Sequence, residues 1–277
     1  MRHRFVVALG PVGVALCLLP TYAAGCGDDD PAAPADASVA SDSPGFESST
    51  IDVPGAVPVT QRGQIVVARQ NAPVEGAIVA TSAGSRTSTD DAGLYAIQVP
   101  KGIPYSMTVE KPGFYKLIEQ EWSIAEDTDR KDTSFLSDIL ASLLAASIPD
   151  LDAQKGILTL RVYPKEGCPS VDGATVTIEP AAGKIVYPRG GLPSKETTIA
   201  AEESPSAVIY NLPTGVPLKL KAQHPTCTFV PYPASSDGFT YTGNVTTEPG
   251  KVISFARVYL RGSGSGGDAG PADATTD

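Results

Sequence analysis

Pro73-Val74-Glu75-Gly76-Ala77-Ile78-Val79 leads to Thr87-Ser88-Thr89-Asp90-Asp91-Ala92-Gly93-Leu94-Tyr95, and then to Val99-Pro100-Lys101-Gly102-Ile103-Pro104. Gly76 precedes Ala77 where a turn enters a strand, and small side chains there permit a close backbone approach. Asp90 to Gly93 reads as a hairpin turn, with an Asp carboxylate bonding its own backbone and Gly93 supplying a positive φ. Around these turns apolar residues alternate at Ile65/Val67, Ile97/Val99 and Tyr105/Met107/Val109. That period turns one face of each strand inward, and the stretch predicts a small antiparallel sandwich.

The same pattern returns downstream. It opens at Gly156, alternates at Leu158/Leu160/Val162, and repeats the first motif as Val171-Asp172-Gly173-Ala174-Thr175-Val176. Leu212-Pro213-Thr214-Gly215-Val216-Pro217 then matches the last motif almost residue for residue. The Asp-x-x-Gly-x-Tyr turn is absent from this copy, which carries Glu202-Glu203-Ser204-Pro205-Ser206 instead. A surface-loop insertion accounts for its greater length. Two long copies make a duplication rather than a solenoid. Between them, Phe135 to Ser147 is rich in Leu and Ala with apolar residues at 136, 139, 140, 143 and 144, a helical stripe that Ser137-Asp138 can cap.

These motifs resemble the carboxypeptidase regulatory-like domain, a transthyretin-like sandwich grouped with carbohydrate-binding-like folds. The first copy carries the resemblance as Pro-Val-x-Gly-Ala-x-Val, Thr-x-Thr-Asp-x-x-Gly-x-Tyr and Val-Pro-x-Gly, and the second keeps the first and last of these. The expected fold is therefore all-β: two tandem antiparallel Ig/transthyretin-like β-sandwiches with a short connecting helix. Residues 58–135 would form the first sandwich, 136–155 the helical connector and 156–262 the second sandwich.

The N-terminus predicts a location. Arg2, His3 and Arg4 form a positive segment, and Ala23-Ala24-Gly25 is a small-residue cleavage site. Phe5 to Leu19 is an apolar run of about 15 residues, short of the ~20 that a spanning helix needs. Residues 1–25 read as an export signal. Its cleavage point abuts Cys26, which looks like the lipobox of bacterial lipoproteins, with Ala23 where that motif usually carries Leu. The resemblance implies a diacylglycerol on the Cys26 thiol, a third acyl chain on the new amino terminus, and a permanent membrane tether. Gly27 at the next position points, by the same resemblance, to the outer membrane of the cell envelope. Cleavage at the same site into an ordinary secreted protein is the other reading. Residues 26–57 and 263–277 are poor in large apolar side chains, cannot offset their chain entropy by burial, and read as a disordered tether and a disordered tail.

Charge and chemistry narrow the function. The net charge is −10, and removal of Arg2 and Arg4 with the signal makes it more acidic still. Nucleic acid and anionic lipid surfaces reward basic patches, so neither is an expected partner. With Cys17 in the signal and Cys26 acylated, Cys168 and Cys227 remain as one disulfide pair in an oxidising compartment, two free buried thiols being the alternative. His224 is the sole histidine beyond the signal. Zinc peptidase chemistry needs two histidines and a carboxylate, and a Ser-His-Asp site needs a nucleophile elbow that the chain lacks. No catalytic residue, metal ligand or cofactor is expected, and Gly262-Ser263-Gly264-Ser265-Gly266-Gly267 lacks the following helix of a dinucleotide site. Asp28 to Asp30 read as an acidic spacer, and Asp127, Asp129 and Asp132 beside Arg130 and Lys131 as a charged loop.

Aromatic residues leave two readings open. Phe229, Tyr232, Phe239 and Tyr241 cluster with Pro231 and Pro233, and Trp122 is the single tryptophan. Strand aromatics normally fill a sandwich interior, which is the expectation for this cluster and for Trp122. Exposed, Tyr232, Phe239 and Tyr241 would instead be stacking faces for sugar rings. The expected function is a non-enzymatic, membrane-tethered structural or protein-interaction module, with a carbohydrate-binding module as the alternative. Its partners would be the membrane, through the acyl chains, and an envelope protein or glycan.

Overall fold

A computed structural model describes residues 51, 53–130, 133–190, 192–200, 205–230 and 238–263. The first copy opens with β1 (Pro58–Val67), β2 (Ile78–Thr81), β3 (Arg86–Ser88), β4 (Leu94–Pro100) and β5 (Met107–Glu110). β6 (Lys116–Glu119), β7 (Trp122–Ile124), β8 (Thr128–Asp129) and β9 (Thr133–Phe135) follow, then α1 (Asp138–Ala146). The second copy begins with β10 (Gly156–Pro164), β11 (Thr175–Glu179), β12 (Lys184–Val186), β13 (Ser206–Leu212) and β14 (Leu218–Gln223). It ends with β15 (Cys227–Val230), β16 (Phe239–Tyr241), β17 (Asn244–Val245) and β18 (Val252–Gly262). The described chain is an all-β sandwich fold with this one short helix, and the helix is not long and apolar enough to cross a membrane.

Strand pairing is alike in part in the two stretches. β1 pairs antiparallel with β4 and parallel with β8 and β9; β10 pairs antiparallel with β13 and parallel with β18. β2 with β5, and β11 with β14, are antiparallel in the same way. The expected hairpin turn is present: Gly93 has φ 73° and the Asp90 carboxylate accepts the Leu94 N–H at 2.8 Å. A Cβ on Gly93 would stand 2.5 Å from the Ile65 carbonyl oxygen, so the turn needs glycine for space as well as for φ.

Two apolar interiors result. Ile65, Ile97, Tyr105, Met107, Trp122 and Phe135 anchor the first, and Leu158, Leu160, Ile209, Leu220 and Val258 the second. The alternating triads that predicted inward faces are buried: Tyr105, Met107, Val109, Leu158, Leu160 and Val162 all lie at 0% exposure. The interiors are joined through β18, which lies between β10 and β6 and runs parallel to both. One sheet of order β12-β13-β10-β18-β6-β5-β2-β3 therefore spans both copies. Ala256, Val258 and Leu260 fill the second interior from one face of β18, while Phe255 and Tyr259 on the other face pack against the first. β16, late in the chain, returns to pair antiparallel with β7 of the first copy.

The connector helix is capped as expected, with the Ser137 hydroxyl accepting the Leu140 N–H at 3.4 Å. Its orientation differs from the stripe. Ala141 is buried, whereas Ile139 is 84% and Leu143 64% exposed. Leu140, Ala141, Leu144 and Ala145 are apolar as well, so the helix had two sides to choose from, and these four face the protein.

Cys168 and Cys227 form a disulfide, with Cα atoms 5.6 Å apart and a sequence separation of 59. It ties the loop after β10 to the start of β15. Closing a loop of that length stabilises by about 4 kcal/mol in the chain-entropy treatment. Urea unfolding should therefore shift to a lower midpoint by that amount on reduction, or in the C168A/C227A double variant. An unchanged midpoint would show that the bridge contributes nothing.

Candidate functional site

The polar and aromatic groups of the first interior that lie towards β18 form the most constrained constellation among the described residues. β6 ends on Glu119, which is 3% exposed, and the segment leading into β9 brings Arg130 against it. The guanidinium donates to a Glu119 carboxylate oxygen at 2.7 Å, with both side chains almost wholly buried, and Arg130 Nε–H donates to Thr133 Oγ1 at 3.2 Å. Arg130 also lies 4.4 Å above the Trp122 ring. That ring face compensates the buried Arg130 Nη1, which lacks a hydrogen-bond acceptor.

Trp122 organises the neighbourhood. Its ring meets Tyr105, Phe239 and Tyr241 edge-on, at centroid distances of 5.7, 5.8 and 6.1 Å. Its indole N–H donates to Gln61 Oε1 at 3.1 Å, and the Tyr105 hydroxyl donates to the same oxygen at 2.6 Å. Gln61 Nε2 in turn donates to the Tyr95 hydroxyl at 3.0 Å. On the opposite side Arg257 of β18 donates to the Tyr241 hydroxyl at 2.6 Å, and its backbone N–H donates to Gln120 Oε1. Burial works against the Arg257 charge, but Glu119, Tyr241 and Tyr163 outweigh it and raise the pKa further. Burial also pushes the Tyr95 and Tyr105 phenols up. The cluster thus holds fixed charge and protonated phenols, an arrangement suited to clamping elements together rather than to moving protons.

The structure places the residues singled out in the sequence as follows. Phe239 and Tyr241 are each 2% exposed and lie in the first interior, so neither offers a ring face to a sugar; this corrects the stacking alternative for both. The physical reason is β16, whose pairing with β7 turns both rings onto Trp122. Phe229 is partly buried against the second interior. Tyr232 and Cys26 lie outside the described residues, as do Lys131 and Asp132. The charged-loop reading holds for Asp127 and Asp129, which face Arg62 at 3.5 and 3.8 Å, but not for Arg130, which is interior. His224 is a loop clamp: its Nε2 lies 2.9 Å from the Asp172 carbonyl oxygen, and its Nδ1 accepts the Cys227 N–H at 3.0 Å. Its ligand atoms and those of Cys168 and Cys227 lie within 4.8 Å of one another, but the two sulfurs are bonded to each other and offer no thiolate to a metal. Gly262 closes β18 opposite Cys227, in a strand rather than a phosphate-binding turn.

Gln61, Glu119 and Arg257 were not anticipated from the sequence. Gln61 had a signal, because Val59, Gln61, Gly63 and Ile65 share one strand face. Arg257 falls likewise between Phe255 and Tyr259. Nothing local marks Glu119 as interior.

No protein-family model matches the chain, and no curated protein matches it. Among solved structures it is similar to the Bacillus anthracis TIE protein, at 12% identity and a TM-score of 0.23, over 74% of this chain and 34% of that one. It is also similar to GBS52, the minor pilin of Streptococcus agalactiae, at 13% identity and a TM-score of 0.24, over 77% of this chain and 99% of that one. The major pilin of Streptococcus pyogenes gives 10% identity and a TM-score of 0.22, over 76% and 99%. The chain spans about a third of the TIE protein's length. At such identities and superpositions these likenesses carry no functional weight.

Removing one partner of the buried pair should be costly. Arg130→Met strands the Glu119 carboxylate and is expected to lower stability by about 3–5 kcal/mol. Adding Glu119→Gln should restore more than half of that, as read by urea unfolding in a double-mutant cycle; strictly additive losses would deny the coupling. A pH dependence follows from the tyrosines. Their folded pKa values lie above the ordinary 10.0, so the folded chain keeps protons that the unfolded chain releases. That stabilisation is complete below pH 10.0 and is lost as pH rises beyond it. The urea midpoint should fall on the alkaline side of this value, and the fall should flatten in Tyr95→Phe/Tyr105→Phe; an equal fall in that variant would assign the effect elsewhere.

Proposed function

We propose that this chain is a non-enzymatic bacterial lipoprotein, anchored through Cys26, whose regulatory-like sandwiches act as one rigid interaction module at the cell envelope. The observation that carries this reading is β18. Inter-domain contacts within a chain ordinarily leave the domains free to move. Here a single sheet passes through both copies, so loops at opposite ends of the body are held at a fixed separation. Such a body is suited to presenting a surface to a partner. The groups best placed for chemistry, Glu119, Arg130, Arg257 and His224, are all engaged in holding strands or loops together. Residues 26–57 would serve as the spacer between the acyl chains and this body, and the outer membrane is the location that Gly27 supports. With Phe239 and Tyr241 in the interior, the aromatic platform of a carbohydrate-binding module loses two of its three members.

Cell fractionation with mass spectrometry tests the anchor. The mature protein should be recovered in the envelope membranes with an acylated Cys26 at its amino terminus, and Cys26→Ser should leave it unacylated and soluble. An unmodified terminus at Cys26 would overturn lipidation. Crosslinking in intact cells tests the module itself: a recurrent protein partner that resists glycosidase treatment is expected, and capture of glycans alone would overturn that reading.

A further inference from the structure

Beneath α1, on the face of the spanning sheet that points away from the second interior, lies a cavity of about 330 Å³. That volume falls within the range of small-molecule sites. Its walls are chiefly apolar. Leu140, Leu144 and Ala145 of α1 form one side, and Ile157, Ile253 and Phe255 of β10 and β18 the other. Hydroxyls are few, supplied by residues such as Thr159 and Ser206. The charges are one-sided: Arg69 and Arg161 line the cavity, and among the described residues no Asp or Glu does so. In a chain of net charge −10 a cavity with this balance stands out.

Arg161 is the telling residue. It sits on β10 opposite Ser206 of β13, half-buried, with its guanidinium carbon 5.6 Å from the centre of the Phe255 ring. Among the described residues no carboxylate pairs with it, whereas Arg62, Arg130 and Arg189 each have one. A guanidinium at the margin of an apolar cavity, with no carboxylate on it among the described residues and a ring beside it, matches a planar carboxylate on an apolar tail. α1 adds to this, because it is apolar towards the cavity and also at Ile139 and Leu143, which face solvent.

We propose that the cavity under α1 binds a single-chain fatty carboxylate, its chain between α1 and the sheet and its head group on Arg161. Binding buries the chain against Leu140, Leu144 and Phe255 and gives Arg161 an anionic partner, which it lacks among the described residues.

Titration of the full chain with decanoate and with decanol, followed by calorimetry and native mass spectrometry, tests this. One decanoate should bind per chain, at least about tenfold more tightly than decanol, and Arg161→Gln should remove that preference while leaving decanol binding in place. Ala145→Phe, which fills the cavity from the helix side, should abolish binding of both. A photoreactive decanoate should label α1 in the unaltered chain, which keeps the proposal testable if the Phe variant misfolds. Absence of binding by the folded chain, equal affinity for decanoate and decanol, a preference that survives Arg161→Gln, or labelling away from α1 would each overturn it. Retention of diacyl phospholipid from vesicles with no uptake of decanoate would do so as well.

Discussion

β18 must satisfy two interiors at once, and the remainder of the body is arranged around that demand. One of its faces carries Ala256, Val258 and Leu260 into the second interior, and the other sets Phe255 and Tyr259 against the first. Its edges are equally occupied. β10 runs along one side from Leu158 to Pro164, while β6 and then β15 share the other. Strands joined in parallel need a long crossover, and between β6 and β18 that crossover is everything from β7 to β17. That intervening chain supplies the length that lets a single strand lie between two apolar interiors. Covered on both faces and both edges, β18 behaves as a parallel-sheet strand in an otherwise largely antiparallel protein.

The charged layer beside it has a different role. A buried ion pair returns little net stability once desolvation is counted, and apolar residues of the same shape often serve as well. What Glu119 and Arg130 contribute is position. Arg130 reaches its carboxylate only when the loop leading to β9 is docked on Trp122, and Trp122 is held in turn by Gln61, Tyr105 and the rings of β16. A misdocked strand would leave a charge in the interior without a partner, at a cost of several kcal/mol. The layer therefore acts against wrong arrangements more than in favour of the right one.

Much of the fold was legible because it rests on local rules. The Asp90–Gly93 turn, the alternating triads around Met107 and Leu160, and the Ser137 cap each depend on neighbours within a few residues. The Cys168–Cys227 pairing followed because no other partners remained. The junction was not legible, since its logic is long-range. Phe239 and Tyr241 meet Trp122 across more than a hundred residues, and Arg130 resembles any loop arginine until Glu119 is placed beside it. The face that α1 buries was equally hidden, because a helix apolar on two sides carries no moment strong enough to choose between them. The cavity followed from that same choice, so neither its lining nor the position of Arg161 could be read from spacing.

Chain order gives the central strand a last consequence, in time rather than in space. β18 is the final strand among the described residues, yet it occupies the middle of the sheet. Until it arrives, β10 and β6 each present an open edge, and the second interior lacks one wall. A chain that emerges from its N-terminus can form local hairpins early, but it cannot close this body until β18 has appeared. Among the described strands, the element that completes the fold is thus the one the chain supplies last.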